Sequence, residues 1–178
     1  MGEAKNIDPV DRWNGVPRKA QQRHANIADD MEKIRRIVVD TNILVAATRS
    51  RHGPSFALMQ LVRTRRVLMC CSPALFLEYE DVLQRADQRA ASGLSVKDVD
   101  AILNELAALL EPVLTHYQWR PQLRDPADEM VLEAAANARV GALVTYNLRD
   151  FVPAKRFGIQ VLTPEQAFKY FDLAIPRT

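Results

Sequence analysis

The sequence predicts an α/β fold: a parallel or mostly parallel sheet of about five strands covered by helices on both faces. Three observations carry this expectation. The apolar, β-branched run Ile37-Val38-Val39 is too short for a core helix and shows no alternation, as expected of a strand buried on both faces. Later segments carry apolar residues three and four apart, the spacing of amphipathic helices. Strand-like and helix-like segments then alternate along the chain, with no internal repeat or low-complexity tract.

Taken in order, residues 1–33 differ from the rest of the chain. Pro9, Trp13 and Pro17 sit in a polar setting, and Ile27, Met31 and Ile34 then fall at spacings of four and three. This segment reads as an N-terminal extension, partly helical or flexible, before a domain over 34–173 and a short tail over 174–178. His24 within it reads as a solvent-facing residue. After the first strand, Asp40-Thr41-Asn42 interrupts the apolar run before Ile43-Leu44-Val45 resumes it. Gly53-Pro54-Ser55 supplies a turn and a cap for a helix with Phe56, Leu58, Met59, Leu61 and Val62 on its apolar face, ending near Arg65 and Arg66.

Val67 to Cys71 is a second strand, and Ser72-Pro73 opens a helix whose stripe is Leu75, Phe76, Tyr79, Val82 and Leu83, with Glu78 at the stripe's edge. Gly93 and Ser95 mark a helix end and the next cap, and Val99, Ile102, Leu103, Leu106 and Leu110 define another amphipathic helix. Glu111 to Leu114 is a short third strand. A polar linker leads to a helix over MVLEAAANAR with Asp128 and Glu129 in its first turn, closed by Arg139 to Gly141. Ala142 to Thr145 is the fourth strand, Ile159 to Leu162 the fifth, and Thr163-Pro164 caps the last helix.

Composition narrows the function. At 178 residues the chain is long enough to bury a core without disulfides. The adjacent Cys70 and Cys71 lack metal-site spacing, read as core thiols, and point to a reducing, cytoplasmic setting. No stretch reaches the roughly 20 apolar residues of a membrane span, and the N-terminal residues lack a signal-peptide core. With 24 basic against 22 acidic residues, overall charge does not argue for a nucleic-acid partner.

The chemistry lies in an arrangement of acids. An aspartate at the exit of a buried strand, Asp40, is costly to desolvate, and ligands of open parallel sheets bind at the carboxyl ends of strands. Asp128 and the Asn147–Asp150 segment belong on that same edge, with Glu78 entering from the helix after strand two. Taken singly, each has a bland reading: a turn or cap aspartate, a solvated stripe edge, or a complement to the helix dipole. Gathered together, they need a compensating cation. Oxygen ligands without histidine or cysteine select Mg²⁺ or Mn²⁺, and such an ion suits phosphodiester hydrolysis.

The segments VVDTNILVAA, SPALFLEYEDVL, DPADEMVLEAAANARVGALVTYNLRDF and IQVLTPEQAF, in this order over roughly Arg35 to Phe171, resemble a PIN domain, specifically the bacterial VapC-like toxin components. The resemblance implies an α/β/α sandwich and an Mg²⁺- or Mn²⁺-dependent ribonuclease acting as the toxin of a type II toxin-antitoxin pair. A small antitoxin partner and a homodimer follow from it as well. Its metal-binding acids fall on Asp40, Glu78 and Asp128, with Thr41 and Asn42 supporting the first and Glu129 one residue from the third. At the fourth position many members carry an aspartate two residues after the strand-four threonine, where this chain has Asn147. Asp150 takes that role here, with Thr145 and Asn147 as polar supports and Asp125 as a weaker candidate.

The implied reaction is in-line hydrolysis leaving 5′-phosphate and 3′-hydroxyl ends, with RNA steered by Arg49, Arg51, His52, Arg149 and Lys155, which individually also read as solvated charge. Tyr146 either stacks on a base or packs. A haloacid-dehalogenase-like phosphohydrolase is disfavoured because its second aspartate would have to occupy the position of Asn42. The alternative is a PIN-like module without catalysis, serving RNA binding or assembly, which only Asn147 favours.

Overall fold

The computed structural model describes residues 35–174. The expected extension over 1–33 and all but the first residue of the tail lie outside the described residues. The strands are β1 (Arg36–Val39), β2 (Leu68–Cys71), β3 (Glu111–Pro112), β4 (Ala142–Val144) and β5 (Gln160–Leu162). They form a single five-stranded sheet in the order β3-β2-β1-β4-β5, and every pairing is parallel. The helices are α1 (Thr41–Arg49), α2 (Pro54–Arg63), α3 (Pro73–Gln84), α4 (Ala86–Ser92), α5 (Val96–Leu109), α6 (Glu129–Asn137) and α7 (Pro164–Tyr170). Flanking the sheet, they make the α/β/α sandwich that the alternation of elements predicts.

The sheet is dry at its centre. Ile37, Val38 and Val39 of β1 and Ala142, Leu143 and Val144 of β4 are fully buried, so their lack of alternation reflects helices on both faces. Helix α6 packs across β1, β2 and β4 through a face rich in small residues, Val131, Leu132, Ala134 and Ala135 all being buried. Helix α7 packs on β4 and β5 and meets α2, while α1 and α2 pack on each other. Three expected caps form, whereas α2 starts after Gly53 with no side-chain cap, Ser55 lying inside the helix. Ser72 accepts from Leu75 N–H at α3, and Ser95 with Asp98 and Thr163 with Gln166 form reciprocal capping boxes at α5 and α7. Cys70 and Cys71 are buried free thiols, and burial raises them to about 11 and about 12, so neither is a ready thiolate.

Several elements differ from the sequence reading. Ile43-Leu44-Val45 belongs to α1, which starts immediately after β1, with Ile43, Leu44 and Ala47 on its buried side. A 3-10 helix over Val152–Phe157 and the short α4 also form, and β3 stops at Pro112 instead of reaching Leu114. Helix α6 is closed not by Gly141 but by Arg139, which takes a left-handed φ of 51° while Val140 N–H donates to the Ala135 carbonyl at 3.2 Å. Arg65 and Asp172 close their helices in the same way with φ of 55° and 51°, so glycine is an incomplete guide to where this chain ends a helix.

Candidate active site

In a sheet ordered β3-β2-β1-β4-β5, the chain leaves β1 toward β2 while β4 lies on the other side. The crevice between the carboxyl ends of β1 and β4 is therefore the topological switch point, where open parallel sheets bind ligands. Asp40 follows β1 and Thr145 follows β4, and the backbone ties them: Val39 pairs with Val144, and Asp40 N–H donates to the Val144 carbonyl at 2.9 Å.

Asp40 occupies the N-cap position of α1, yet its side chain makes no capping hydrogen bond. Its Oδ2 instead accepts from Thr145 Oγ1 at 2.6 Å and from Asn42 Nδ2 at 2.7 Å. Thr145 Oγ1 in turn accepts from Asn42 Nδ2 at 3.1 Å and from Asn147 N–H at 2.9 Å. A hydroxyl has one proton and two lone pairs. With both acceptor positions filled by N–H groups, the Thr145 proton is directed at Asp40, which holds Oδ2 as an acceptor. Asn42 Oδ1 completes the knot by accepting from Tyr146 N–H at 3.3 Å.

Around this knot lie three further acids. Burial raises the Asp40 carboxyl despite the Thr145 bond and the nearby Asn42 and Thr41 N–H groups, and the charge of Asp150 adds to the shift. Glu78 is raised by burial, with Thr41 opposing and Asp40 adding. Asp128 is raised to about 6, by burial first and then by Asp40, Asp125, Asp150 and Glu78. The four acids singled out in the sequence thus feel one another's charge across one edge of the sheet, although among the described residues no three converge on one point at ligating distance.

Two buried polar atoms at this edge, Thr41 Oγ1 and Glu78 Oε2, make no hydrogen bond of good geometry, the Thr41 hydroxyl being close enough only to favour the charged form of Glu78. An orphaned carboxylate oxygen beside carboxyls that resist ionisation is the environment a divalent cation relieves. The donor set is all oxygen, which fits Mg²⁺ or Mn²⁺ and not a thiophilic metal.

The remaining site candidates separate by surroundings. Glu129 is buried and its Oε1 accepts from the backbone N–H groups of Gln122 and Leu123, the latter at 2.8 Å, so this oxygen secures the preceding linker. Asp125 accepts from Ala127 N–H at 2.9 Å as a turn residue. Asn147 is exposed, and its contribution to the knot is its backbone N–H. Asp150 is also exposed, after the exposed Arg149. Arg49 donates to Gln88 on α4, while Arg51 is half-buried and His52 exposed.

Two supports carry little signal in the sequence. Ser55, buried at the start of α2, shares a 2.8 Å hydrogen bond with the Tyr146 hydroxyl and so holds that half-exposed ring at the site. Tyr79, fully buried on α3, donates its hydroxyl to the Val39 carbonyl, fixing the helix that carries Glu78 to the strand that carries Asp40. A tyrosine in an apolar stripe reads from sequence as packing alone.

No helix among the described residues is long and apolar enough to cross a membrane. A comparison with curated protein sequences finds no match. The family model described as the PIN domain, generally a metal-dependent nuclease fold acting on RNA, matches residues 36–149, a span that includes Asp40, Glu78, Asp128 and Thr145. With that match over most of the chain, and the all-parallel sheet with its acidic switch point, this chain belongs to the PIN domain family.

Proposed function

We propose that this protein is a metal-dependent ribonuclease that hydrolyses RNA phosphodiester bonds at the edge formed by β1 and β4. The observation that carries the reading is Asp40: a buried carboxylate at the switch point, held by Thr145 and Asn42 and surrounded by acids that burial and mutual repulsion keep from ionising freely. Asp40, Glu78 and Asp128 would hold Mg²⁺ or Mn²⁺, with Asp150 orienting the attacking water or helping to hold a second ion. When bound, such an ion supplies neutralisation of phosphate oxygens and a lowered pKa for water.

The chain's own residues set up the displacement. Thr145 and Asn42 fix the Asp40 carboxylate, so it presents charge without rearranging as the substrate arrives. Asp128, near 6 without a cation, is a group that a bound cation shifts toward its ionised form. Arg149, and more weakly Arg49 and Arg51, steer the phosphate backbone. Hydrolysis by water leaves 5′-phosphate and 3′-hydroxyl ends.

The narrower reading is a VapC-like toxin with a small antitoxin partner, a homodimeric assembly and a cytoplasmic location. It rests on the resemblance of the quoted segments to that group. Cleavage of RNA with Mg²⁺ or Mn²⁺, abolished by EDTA and by Asp40→Asn, tests the activity; equal degradation by wild type and Asp40→Asn rejects it. Growth arrest on expression, relieved by the product of a small neighbouring gene, tests the toxin role. A second reading, an RNA-binding or assembly module without catalysis, is favoured by Asn147 and by the absence of three converging carboxylates among the described residues. It predicts RNA binding with no metal-dependent cleavage.

A further inference from the structure

The linker between β3 and α6 is held in place with unusual thoroughness. Glu129, Glu133 and Asn137 stand four residues apart on one stripe of α6, and each grips a successive part of the linker. Asn137 Oδ1 accepts from the N–H groups of His116 at 3.0 Å and Tyr117 at 3.1 Å, and its Nδ2 donates to the Tyr117 carbonyl at 2.9 Å. Glu133 takes a two-pronged bond from Arg120, both contacts at 2.8 Å, and Glu129 receives Gln122 and Leu123. The two glutamates are 2% and 5% exposed, and the desolvation of their charge is offset by Arg120 on Glu133 and by the two N–H groups on Glu129, which ties the linker to α6 along its length.

The shape so fixed presents aromatic rings. Tyr117 stacks on Trp119 with centroids 5.5 Å apart at 28°, and Trp119 meets Phe157 of the 3-10 helix at 5.2 Å. Tyr117 is 65% and Trp119 38% exposed, which is not how a closed hydrophobic cluster presents its members. Arg124 on the linker and Lys155 and Arg156 beside Phe157 are exposed cations without an ion pair among the described residues. The 3-10 helix that ends at Phe157 begins two residues after Asp150, and its six residues carry the chain about 12 Å.

We propose that the rings of Tyr117, Trp119 and Phe157 form a stacking platform for the bases of single-stranded RNA, at the opposite end of α6 from the acidic site and joined to it along the 3-10 helix. Stacking on aromatic faces with cations for the backbone is how single strands are held without base readout. Three exposed cations without an ion pair among the described residues, Arg124, Lys155 and Arg156, accompany the rings, and that excess of positive charge suits a polyanionic strand. The proposal rests on the ribonuclease reading only in taking RNA as the substrate.

The test uses the full chain with Trp13→Phe, which leaves Trp119 as the sole tryptophan, and Asp40→Asn to prevent cleavage. The probe is a single-stranded oligoribonucleotide of roughly 12 nucleotides, within the usual site sizes of such surfaces. Binding is expected to quench Trp119 emission. Trp119→Ala or Tyr117→Ala should weaken binding about tenfold, with Trp119→Phe restoring most of it. Lys155→Gln with Arg156→Gln, which leaves the rings in place, should flatten the salt dependence of binding. With Asp40 intact, Trp119→Ala should raise KM for the long substrate and leave a dinucleotide substrate unaffected.

Unchanged affinity and no quench on a bound oligonucleotide overturn the platform, as does a ring substitution that breaks up an oligomer without altering RNA affinity. Intact cleavage with Trp119-independent binding rejects the platform and leaves the nuclease. Trp119-dependent binding without metal-dependent cleavage rejects the nuclease and leaves the platform. No RNA binding by any variant rejects both.

Discussion

Thr145 Oγ1 donates to Asp40 Oδ2 at 2.6 Å across 105 residues of sequence, and both of its acceptor positions are filled by other N–H groups. The hydroxyl has no other acceptor for its proton, so removing it leaves a buried acceptor on Asp40 and loose donors on Asn42 and Asn147. Thr145→Val is therefore expected to destabilise the protein by about 1–3 kcal/mol. In the ribonuclease reading it also lowers kcat by about tenfold or more, as for loss of a preorganised contact. Thr145→Ser should recover most of both. Urea melts and single-turnover cleavage read the two effects; wild-type values in Thr145→Val would show that the hydroxyl does not position Asp40.

Asp40→Asn separates stability from activity. The amide keeps the shape and an oxygen for the Thr145 and Asn42 donors, while removing a buried charge that Asp150 opposes. Cleavage is expected to fall at least a hundredfold, about 2.7 kcal/mol of barrier. The metal-free Tm should be equal to or above that of wild type, since strained functional charge is commonly destabilising. A Tm lowered by more than a few degrees would mean that the carboxylate is a structural keystone.

Asp128 and Glu129 are adjacent, and their surroundings predict opposite phenotypes. Glu129→Ala leaves the buried N–H of Leu123 and the part-buried N–H of Gln122 without an acceptor and is expected to cost about 1–3 kcal/mol. Asp128→Ala, at a half-buried helix start without a capping bond, should cost under about 1 kcal/mol yet reduce cleavage strongly. Denaturant melts alongside RNA cleavage decide; the reverse pattern would transfer the site role to Glu129.

Asp150 and Asn147 compete for the fourth position. Asp150 adds to the charge felt by Asp40 and Asp128, whereas Asn147 contributes a backbone N–H that any residue but proline supplies. Asp150→Ala is expected to cost about tenfold or more in cleavage rate and Asn147→Ala less than about threefold, within the span of single polar groups at a site. Retained cleavage in Asp150→Ala with loss in Asn147→Ala would invert the assignment.

The pH dependence follows from three carboxyls raised together. Asp40, Glu78 and Asp128 each keep a proton to higher pH folded than unfolded, so the native state binds more protons through that interval. Stability contributed by these groups is present at low pH and is lost as pH rises, for Asp128 between its ordinary 3.8 and about 6. In EDTA, Asp128→Asn should gain Tm relative to wild type as pH rises through this window, and Mg²⁺ or Mn²⁺ should raise wild-type Tm more above the window than below it. A wild-type minus variant difference that stays flat with pH would remove Asp128 from the coupled set.

Much of this was legible in the sequence, and the exceptions have physical causes. The strands, their alternation with helices and the position of Asp40 follow from short apolar runs and the polar residues that end them. Helix α1 was not expected because Ile43-Leu44-Val45 is nearly as β-branched as the strand before it; what makes it helical is the Asp40 turn and the burial of Ile43, Leu44 and Ala47. That α6 closes within Arg139–Gly141 was legible, but that the left-handed turn falls on Arg139 was hidden, since composition marks the glycine and not the arginine for it. Asp40, Glu78 and Asp128 stood out as acids at strand exits and stripe edges. The hydroxyl logic of Thr145 and the Ser55 hold on Tyr146 needed coordinates, since both join residues about 90 or more positions apart.

Helix α6 starts at the acid it carries into the site and ends at the asparagine that fastens the aromatic linker, with fully buried Ala134 and Ala135 lying against the sheet between them. The helix thus rests on one bed of contact between its two tasks. A larger side chain at either alanine would lift both ends together, so a fault at a position touching neither RNA nor ion would be inherited by cleavage and by strand capture as one defect.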